Sequence, residues 1–521
     1  MRRITRRTAI AETLAGAVVL AACGGGDGSA VAAGSGSTLT SRWGDPSGDG
    51  QLRVLPGEPL LDRTELGPRV AAGAVLAKIG HITDVHVLDA SSPARVTFLD
   101  RLGPPFQSTF RPHETLTAQV FAGAVTAVRA TAPHAVIQGG DLIDNDQRNE
   151  LDHALAVLHG GRVRPGSGPH GYYGVQLASN ADPFYYRPEV DAPRYPGLLR
   201  EAVTEFASRG VGAPCYPVLG DHDVLVAGEI VPTALTRSLA VGDRALWELP
   251  QGLTLPPGAR AQAATSPDGP PDPGLVDSFL TAALAGPTVK VPADPARAQM
   301  AVSEVVAALA GGGGAGAGGG TGGGGGAAAA AGAGRLDYTV DIGPQVRVII
   351  LDLARRAGGS GGLVVPGQEA WLASALAAAG ERWVIVASHQ PLQSSAGGDA
   401  LLAVLDRSPR VVAALYGHIH RNEIIPRPTA AGGYWLIGTA SLIDYPQQAR
   451  ALRILAAADG GVILETWMLD HVFPGRLGEI SRQLSYVDAQ GGRPEGFTGT
   501  RRDRNVRLYR RAAVAAGPSA G

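Results

Sequence analysis

Five clusters of Asp and His punctuate the chain: Asp84-Val85-His86, Gly140-Asp141-Leu142-Ile143-Asp144, Gly220-Asp221-His222-Asp223, Ser388-His389 and Gly417-His418-Ile419-His420. Short β-rich runs of Val, Ile and Leu at 75–83, 135–139, 346–351, 383–387 and 411–416 read as buried strands, and most of the clusters follow one of them. Helical patterns at 114–130, 150–158, 198–208, 368–378 and 400–405 are interleaved with these runs. Such alternation implies an α/β fold. A single Asp-x-His at a strand end is an ordinary cap, whereas five clusters in order are a site. On an extended strand end, residues i and i+2 point to the same side, so Asp84 with His86, and His418 with His420, can each aim two ligands at one point. Glycine before Asp141, Asp221 and His418 lets the backbone turn sharply and approach closely. Ligands at the carboxyl ends of neighbouring strands converge on one crevice, where open α/β sheets place their sites.

The residue types narrow the chemistry. A mixture of His nitrogens and carboxylates suits borderline ions such as Mn, Fe and Zn and disfavours Ca or Cu(I). Two divalent ions about 3.5–4 Å apart lower the pKa of a bridging water, hold phosphoryl oxygens and stabilise the charge of in-line displacement. A histidine that is not a ligand, here His222, is then placed to stabilise the developing charge or protonate the leaving alkoxide. The formal charge of −2 gives no electrostatic reason to expect a nucleic-acid partner.

In their order, the clusters resemble the signature of the calcineurin-like metallophosphoesterases, D-x-H, G-D-x-x-D, G-N-H-D/E, H and G-H-x-H. The resemblance implies a four-layer sandwich of two mixed β-sheets flanked by helices. It implies a dinuclear metal centre with Asp84, His86 and His420 on one ion, His389 and His418 with Asp221 on the second, and Asp141 bridging both. It also implies that Asp223 orients the catalytic His222. Asp144 sits where purple acid phosphatases carry a Tyr ligand, so a tyrosinate-bound ferric ion is not expected. The family's Asn is Asp221 here. The phrases Ser92-Pro93-Ala94-Arg95, Asp144-Asn145, Arg148-Asn149-Glu150-Leu151-Asp152 and Tyr445-Pro446-Gln447-Gln448 are similar to an exported bacterial branch with long inserts between motifs.

The N-terminus carries an address. Arg6-Arg7 ahead of a short apolar run resembles a twin-arginine export signal, and Leu20-Ala21-Ala22-Cys23 resembles a lipoprotein cleavage box. The run is too short to span a bilayer, which takes about 20 apolar residues. Residues 1–22 are therefore read as a signal, with lipid on Cys23 as the membrane partner and 23–67 as a flexible tether. An acylated Cys23 leaves only Cys215, read as a small buried apolar residue, and no intramolecular disulfide.

The organisation expected is one catalytic domain at 68–470, inserts near 160–200 and 243–334 with a Gly/Ala-rich loop at 311–334, and a C-terminal extension at 471–521. His113, His134, His153, His159, His170 and His471 are read as surface or loop histidines, and the arginines from Arg501 to Arg511 as a solvated face. The expected function is hydrolysis of a small-molecule phosphoester outside the cytoplasmic membrane, with a metal-bridging hydroxide as nucleophile. The rival reading is a lipoprotein that binds a ligand through its inserts around a structural or degenerate metal site. An intact His222 argues against it, since a structural site does not need that residue.

Overall fold

The computed structural model describes residues 36–102, 109–259, 266, 268–312, 334–490 and 497–512. The signal, Cys23 and most of the Gly/Ala-rich loop lie outside them. Thirteen strands make the two large sheets: β1 (Leu61–Leu66), β2 (Ala72–Ile82), β3 (Ala135–Gln138), β4 (Cys215–Pro217), β5 (Tyr338–Ile342), β6 (Val346–Leu351), β7 (Trp383–Ser388), β8 (Val411–Tyr416), β9 (Glu423–Arg427), β10 (Tyr434–Gly438), β11 (Gln448–Ala457), β12 (Val462–Asp470) and β13 (Val506–Arg510). One sheet runs β1-β13-β12-β11-β2-β3-β4, the other β5-β6-β7-β8-β10-β9. Both are mixed. β2, β3 and β4 are parallel to one another, as are β6, β7, β8 and β10, while the outer strands add antiparallel pairs.

The expected architecture, two mixed sheets flanked by helices, is the one the chain adopts. Helix α1 (Thr117–Ala130) covers the first sheet at β11 and β12. On the second, Leu372 and Ala375 of α2 (Gln368–Ala377) and Leu401, Leu402 and Leu405 of α3 (Gly398–Asp406) pack on Val384, Val386 and Val411. Strands β7 and β8 are buried along their whole length, which explains their unbroken apolar sequence. Polar pins join the sheets: Arg450 of β11 donates to the Gly438 carbonyl of β10 at 3.0 Å, and Tyr338 of β5 to the Pro217 carbonyl of β4 at 2.8 Å.

Several expectations change. The tether does not extend to residue 67, because β1 pairs in parallel with β13. The C-terminal extension is likewise part of the folded body, supplying β13 and helix α4 (Arg476–Gln490), whose Ile480 and Leu484 pack on Leu116 and Leu198. The helix expected at 198–208 stops at Ala202, and Phe206–Ser208 becomes a strand paired with Gly161–Val163. His113 and His471 are buried, not superficial. Arg510 is buried too and donates to the Gly433 and Pro409 carbonyls, while Arg507 lies 2.6 Å from Glu465. Arg507 thus ties β13 to β12, and Arg510 ties β13 to the loops before β8 and β10 of the other sheet.

Candidate metal centre

All five Asp/His clusters meet at one end of the two sheets. Asp84 and His86 follow β2, Asp141 and Asp144 follow β3, and Asp221 and His222 follow β4. From the other sheet, His389 follows β7, and His418 and His420 follow β8. The site thus sits where the carboxyl ends of parallel strands from both sheets face each other.

The strand pleat does not aim these ligands. β2 ends at Ile82 and β8 at Tyr416, and beyond them Asp84, His86, His418 and His420 take left-handed backbone with φ of 51, 49, 64 and 55°. Asp141, at 49°, does the same. Non-glycine residues are strained there and persist where surrounding structure over-determines them, a habit of functional sites. Of the three preceding glycines only Gly140 has positive φ, at 95°. Gly417 serves by leaving room, since a Cβ on it would lie 2.0 Å from Thr83 Oγ1 and 2.4 Å from Asp84 Oδ2.

Three groups of ligand atoms result, each lying within 4.8 Å of one another: Asp84, His86 and His420; Asp141, Asp221, His389 and His418; and His86, Asp144 and His222. Asp141 Oδ2 faces the first two, 3.1 Å from His389 Nε2 and 3.6 Å from His86 Nε2. Asp221 Oδ1 is 3.3 Å from His389 Nε2 and 3.3 Å from His418 Nδ1, while His420 Nε2 is 3.3 Å from Asp84 Oδ1.

Whether cations belong here can be judged from the donors. His86 Nε2 and His389 Nε2 are buried without a hydrogen-bond partner, and both point at carboxylates. Their other nitrogens are taken: His389 Nδ1 by the Gly139 carbonyl at 2.8 Å, His86 Nδ1 by Asp144 Oδ1 at 3.0 Å, and His420 Nδ1 by Asp444 Oδ2 at 2.5 Å. A proton fixed on Nδ1 leaves the Nε2 lone pair for a metal, the usual arrangement behind ligating histidines. The electrostatics agree. Against the cost of burial, Asp84 and Asp444 push His420 up to about 9, and Asp141 and Asp144 push His222 up to about 10. So much buried negative charge calls for positive partners. The residues fit a dinuclear metal site.

Behind the ligands stand residues that the motifs did not reveal. Asp144 Oδ2 accepts from Arg95 at 2.5 Å, and Asp444 is gripped by Arg111 Nε and Nη2 at 2.6 and 3.1 Å. Glu114 Oε2 joins the two arms, accepting from Arg95 Nη2 at 2.7 Å and from the Arg111 amide at 3.2 Å. Arg95 had surfaced only inside a flanking phrase. Asp444, after β10, carried no signal beyond being an acidic residue next to Tyr445-Pro446. Gln390 donates to Asp221 Oδ1 at 2.9 Å and so supports that carboxylate.

Asp223 does not orient His222. Its carboxylate accepts from the amides of Leu142, Ile143 and Gly220 at 2.8, 3.2 and 2.9 Å, which ties the loop after β3 to the loop after β4. Burial pushes it up to about 7. His222 Nδ1 instead meets the carbonyl of Asp144 at 2.9 Å, and His222 lines a cavity together with His86, Asp141, Asp221, His418 and His420.

No protein-family model and no curated protein matches the chain. Among solved structures, a dimetal phosphatase from Danio rerio aligns with 77% of this chain and 98% of its own at 13% identity, with a TM-score of 0.38. The sulfate thiohydrolase SoxB of Thermus thermophilus aligns with 30% of this chain and 28% of its own at 19% identity, with a TM-score of 0.19. At these scores, the fold and the site stand on the chain's own geometry.

Proposed function

We propose that the chain is a calcineurin-like, metal-dependent hydrolase of phosphoesters. The observation that carries this reading is the placement of Asp141 Oδ2 between the two ligand groups, 3.1 Å from His389 and 3.6 Å from His86. Asp84, His86 and His420 would hold one divalent transition ion (Mn, Fe or Zn), His389, His418 and Asp221 the other, and Asp141 both. Such a pair supplies Lewis-acid charge to phosphoryl oxygens and lowers the pKa of a shared water.

The protein groups divide the remaining work. Asp144, Asp444 and the Gly139 carbonyl fix which nitrogen of His86, His420 and His389 carries the proton. His222, held at Nδ1 by the Asp144 carbonyl and lining the same cavity as the ligand residues, would supply the proton that a leaving alkoxide needs. Asp223 keeps the two loops that carry Asp141 and His222 in register.

Elemental analysis after expression with Mn, Fe and Zn present, run beside hydrolysis of an activated aryl phosphomonoester and phosphodiester, tests the reading. Two ions per chain and turnover of either ester are expected; no metal and no turnover would sink it. We further propose that the enzyme works outside the cytoplasmic membrane, anchored through lipid on Cys23, on the strength of Arg6-Arg7 and Leu20-Ala21-Ala22-Cys23. Labelling with a fatty acid should mark the wild type and spare Cys23→Ala.

A further inference from the structure

The cavity that opens on the Asp/His cluster is larger than a phosphoryl group needs, and much of its far wall comes from the second insert. It encloses about 560 Å³, within the roughly 300–1,000 Å³ of small-molecule pockets. The wall is built on a helix, Pro273–Leu284, started by Asp272, whose Oδ1 accepts from the amides of Gly274 and Leu275 at 2.7 and 3.1 Å. Val276, Phe279, Leu280 and Ala283 recur at helical spacing and form one apolar face. Phe279, Leu280 and Ala283 are buried against Phe98, Leu246 and Leu255 in a small core of their own, with the Phe98 and Phe279 rings 6.4 Å apart. The wall is therefore a packed element. Leu275 and Val276 stay half-buried and, with Phe98, Leu99, Phe279 and Leu280, line the cavity.

The charges on the same walls narrow what enters. Beyond the ligand cluster the charged lining residues are Arg111, Glu229, Asp268, Asp272 and Asp444. Arg111 is engaged by Asp444 at 2.6 Å. The rest are carboxylates, so a second phosphate would meet negative charge with no cationic side chain to receive it among the described lining residues. The described lining matches one phosphoryl group at the cluster with an apolar chain in the chamber.

Resting on the hydrolase reading above, we propose that the substrate is an amphiphilic phosphoester: a single phosphoryl group seated at the Asp/His cluster and an alkyl chain lying along Leu275, Val276, Phe279 and Leu280.

The test pairs binding with turnover on the Mn-loaded full chain. Alkylphosphonates from methyl to octyl, titrated by calorimetry below their micelle concentrations, should bind up to about fourfold more tightly per added methylene, the gain for fully burying that group. The kcat/KM of p-nitrophenyl alkyl phosphates should climb in parallel. Leu275→Asp flattens both series, and Val276→Thr, which exchanges a methyl for a hydroxyl at nearly constant shape, makes them shallower even if the first variant folds poorly. Affinity independent of chain length, or a series as steep in both folded variants as in the wild type, overturns the proposal. Chain-dependent binding without turnover of any ester supports the chamber and overturns the hydrolase reading. Turnover with flat binding does the reverse.

Discussion

Asp144 meets His222 Nδ1 with its backbone carbonyl at 2.9 Å, while its carboxylate contacts His86 at 3.0 Å, Arg95 at 2.5 Å and the Asn145 side-chain amide at 2.9 Å and lies 3.5 Å from the same His222 nitrogen. One residue therefore touches His222 with its main chain and braces His86 with its side chain.

Asp144→Asn should weaken one contact and keep another. The carbonyl remains for His222, while His86 and His222 each lose a neighbouring negative charge and Arg95 its charged partner. Metal affinity of the group containing Asp84, His86 and His420 is expected to fall about 10–100-fold, the usual effect of removing the partner of a ligating histidine. Metal titration by calorimetry would show it, and unchanged affinity would contradict the assignment.

His222→Ala should lower turnover by about 10²–10⁴-fold, the contribution typical of a general acid, with metal content near wild type. Elemental analysis and kcat on one preparation decide this. Loss of metal together with activity would make His222 a ligand instead.

Gly228→Ala reaches the same histidine from behind. Gly228 has φ of 71°, and a Cβ there would lie 2.4 Å from His222 Cδ2 and 2.6 Å from Asp221 Oδ2. Both side chains must move, so kcat should fall at least tenfold, with a lower melting temperature. A silent substitution would mean that this loop shifts freely.

Asp221→Asn should retain the second metal, because Gln390 can still donate to the oxygen at that position. Removing one negative charge beside the ions makes them stronger Lewis acids. The acidic limb of the rate profile is expected to move down by about one pH unit, the low end of what a neighbouring charge produces. A shift upward would overturn the electrostatic account.

Acid stability has a separate origin. Burial, with Arg482 nearby, holds His471 well below the usual histidine range, and burial also lowers His113, whose Nε2 lies 2.6 Å from the Ile443 carbonyl. The folded chain keeps both neutral, whereas the unfolded chain takes up protons near the ordinary value of 6.5. Stability is therefore fully present above that value and lost as pH falls through it, by up to about 1.4 kcal/mol per pH unit for each histidine. Urea melts at pH 7.5 and 5.5 should differ less for His471→Leu than for the wild type; an equal difference would place the acid sensitivity elsewhere.

The ligands were legible because metal chemistry restricts residue types and because each cluster begins where a strand ends. Their geometry was not. Nothing in Asp84-Val85-His86 announces left-handed backbone, which is imposed by contacts such as the His418 amide donating to Asp84 Oδ1 at 2.8 Å. Asp444 and Arg111 escaped for the same reason, since their value lies in a distance that only folding creates. In β11 the arginines interrupt the apolar run, yet Arg450 and Arg453 are both buried, one on the Gly438 carbonyl and the other on Glu465. In β1, the sequence Asp62-Arg63-Thr64-Glu65 looks like a surface loop until β13 lies beside it.

That last pairing has a consequence for how the chain is made. β13 lies between β12 and β1, so β1 leaves the ribosome among the first strands and waits for one of the last. Until Val506–Arg510 emerges, β12 presents a bare edge and β1 has no seat in the sheet. The sheet can close only after residue 510 has been synthesised, more than 400 residues beyond β1, which makes its completion a long-range event. A message cut short before residue 506 would yield a chain whose missing strand leaves that edge open to any other extended segment.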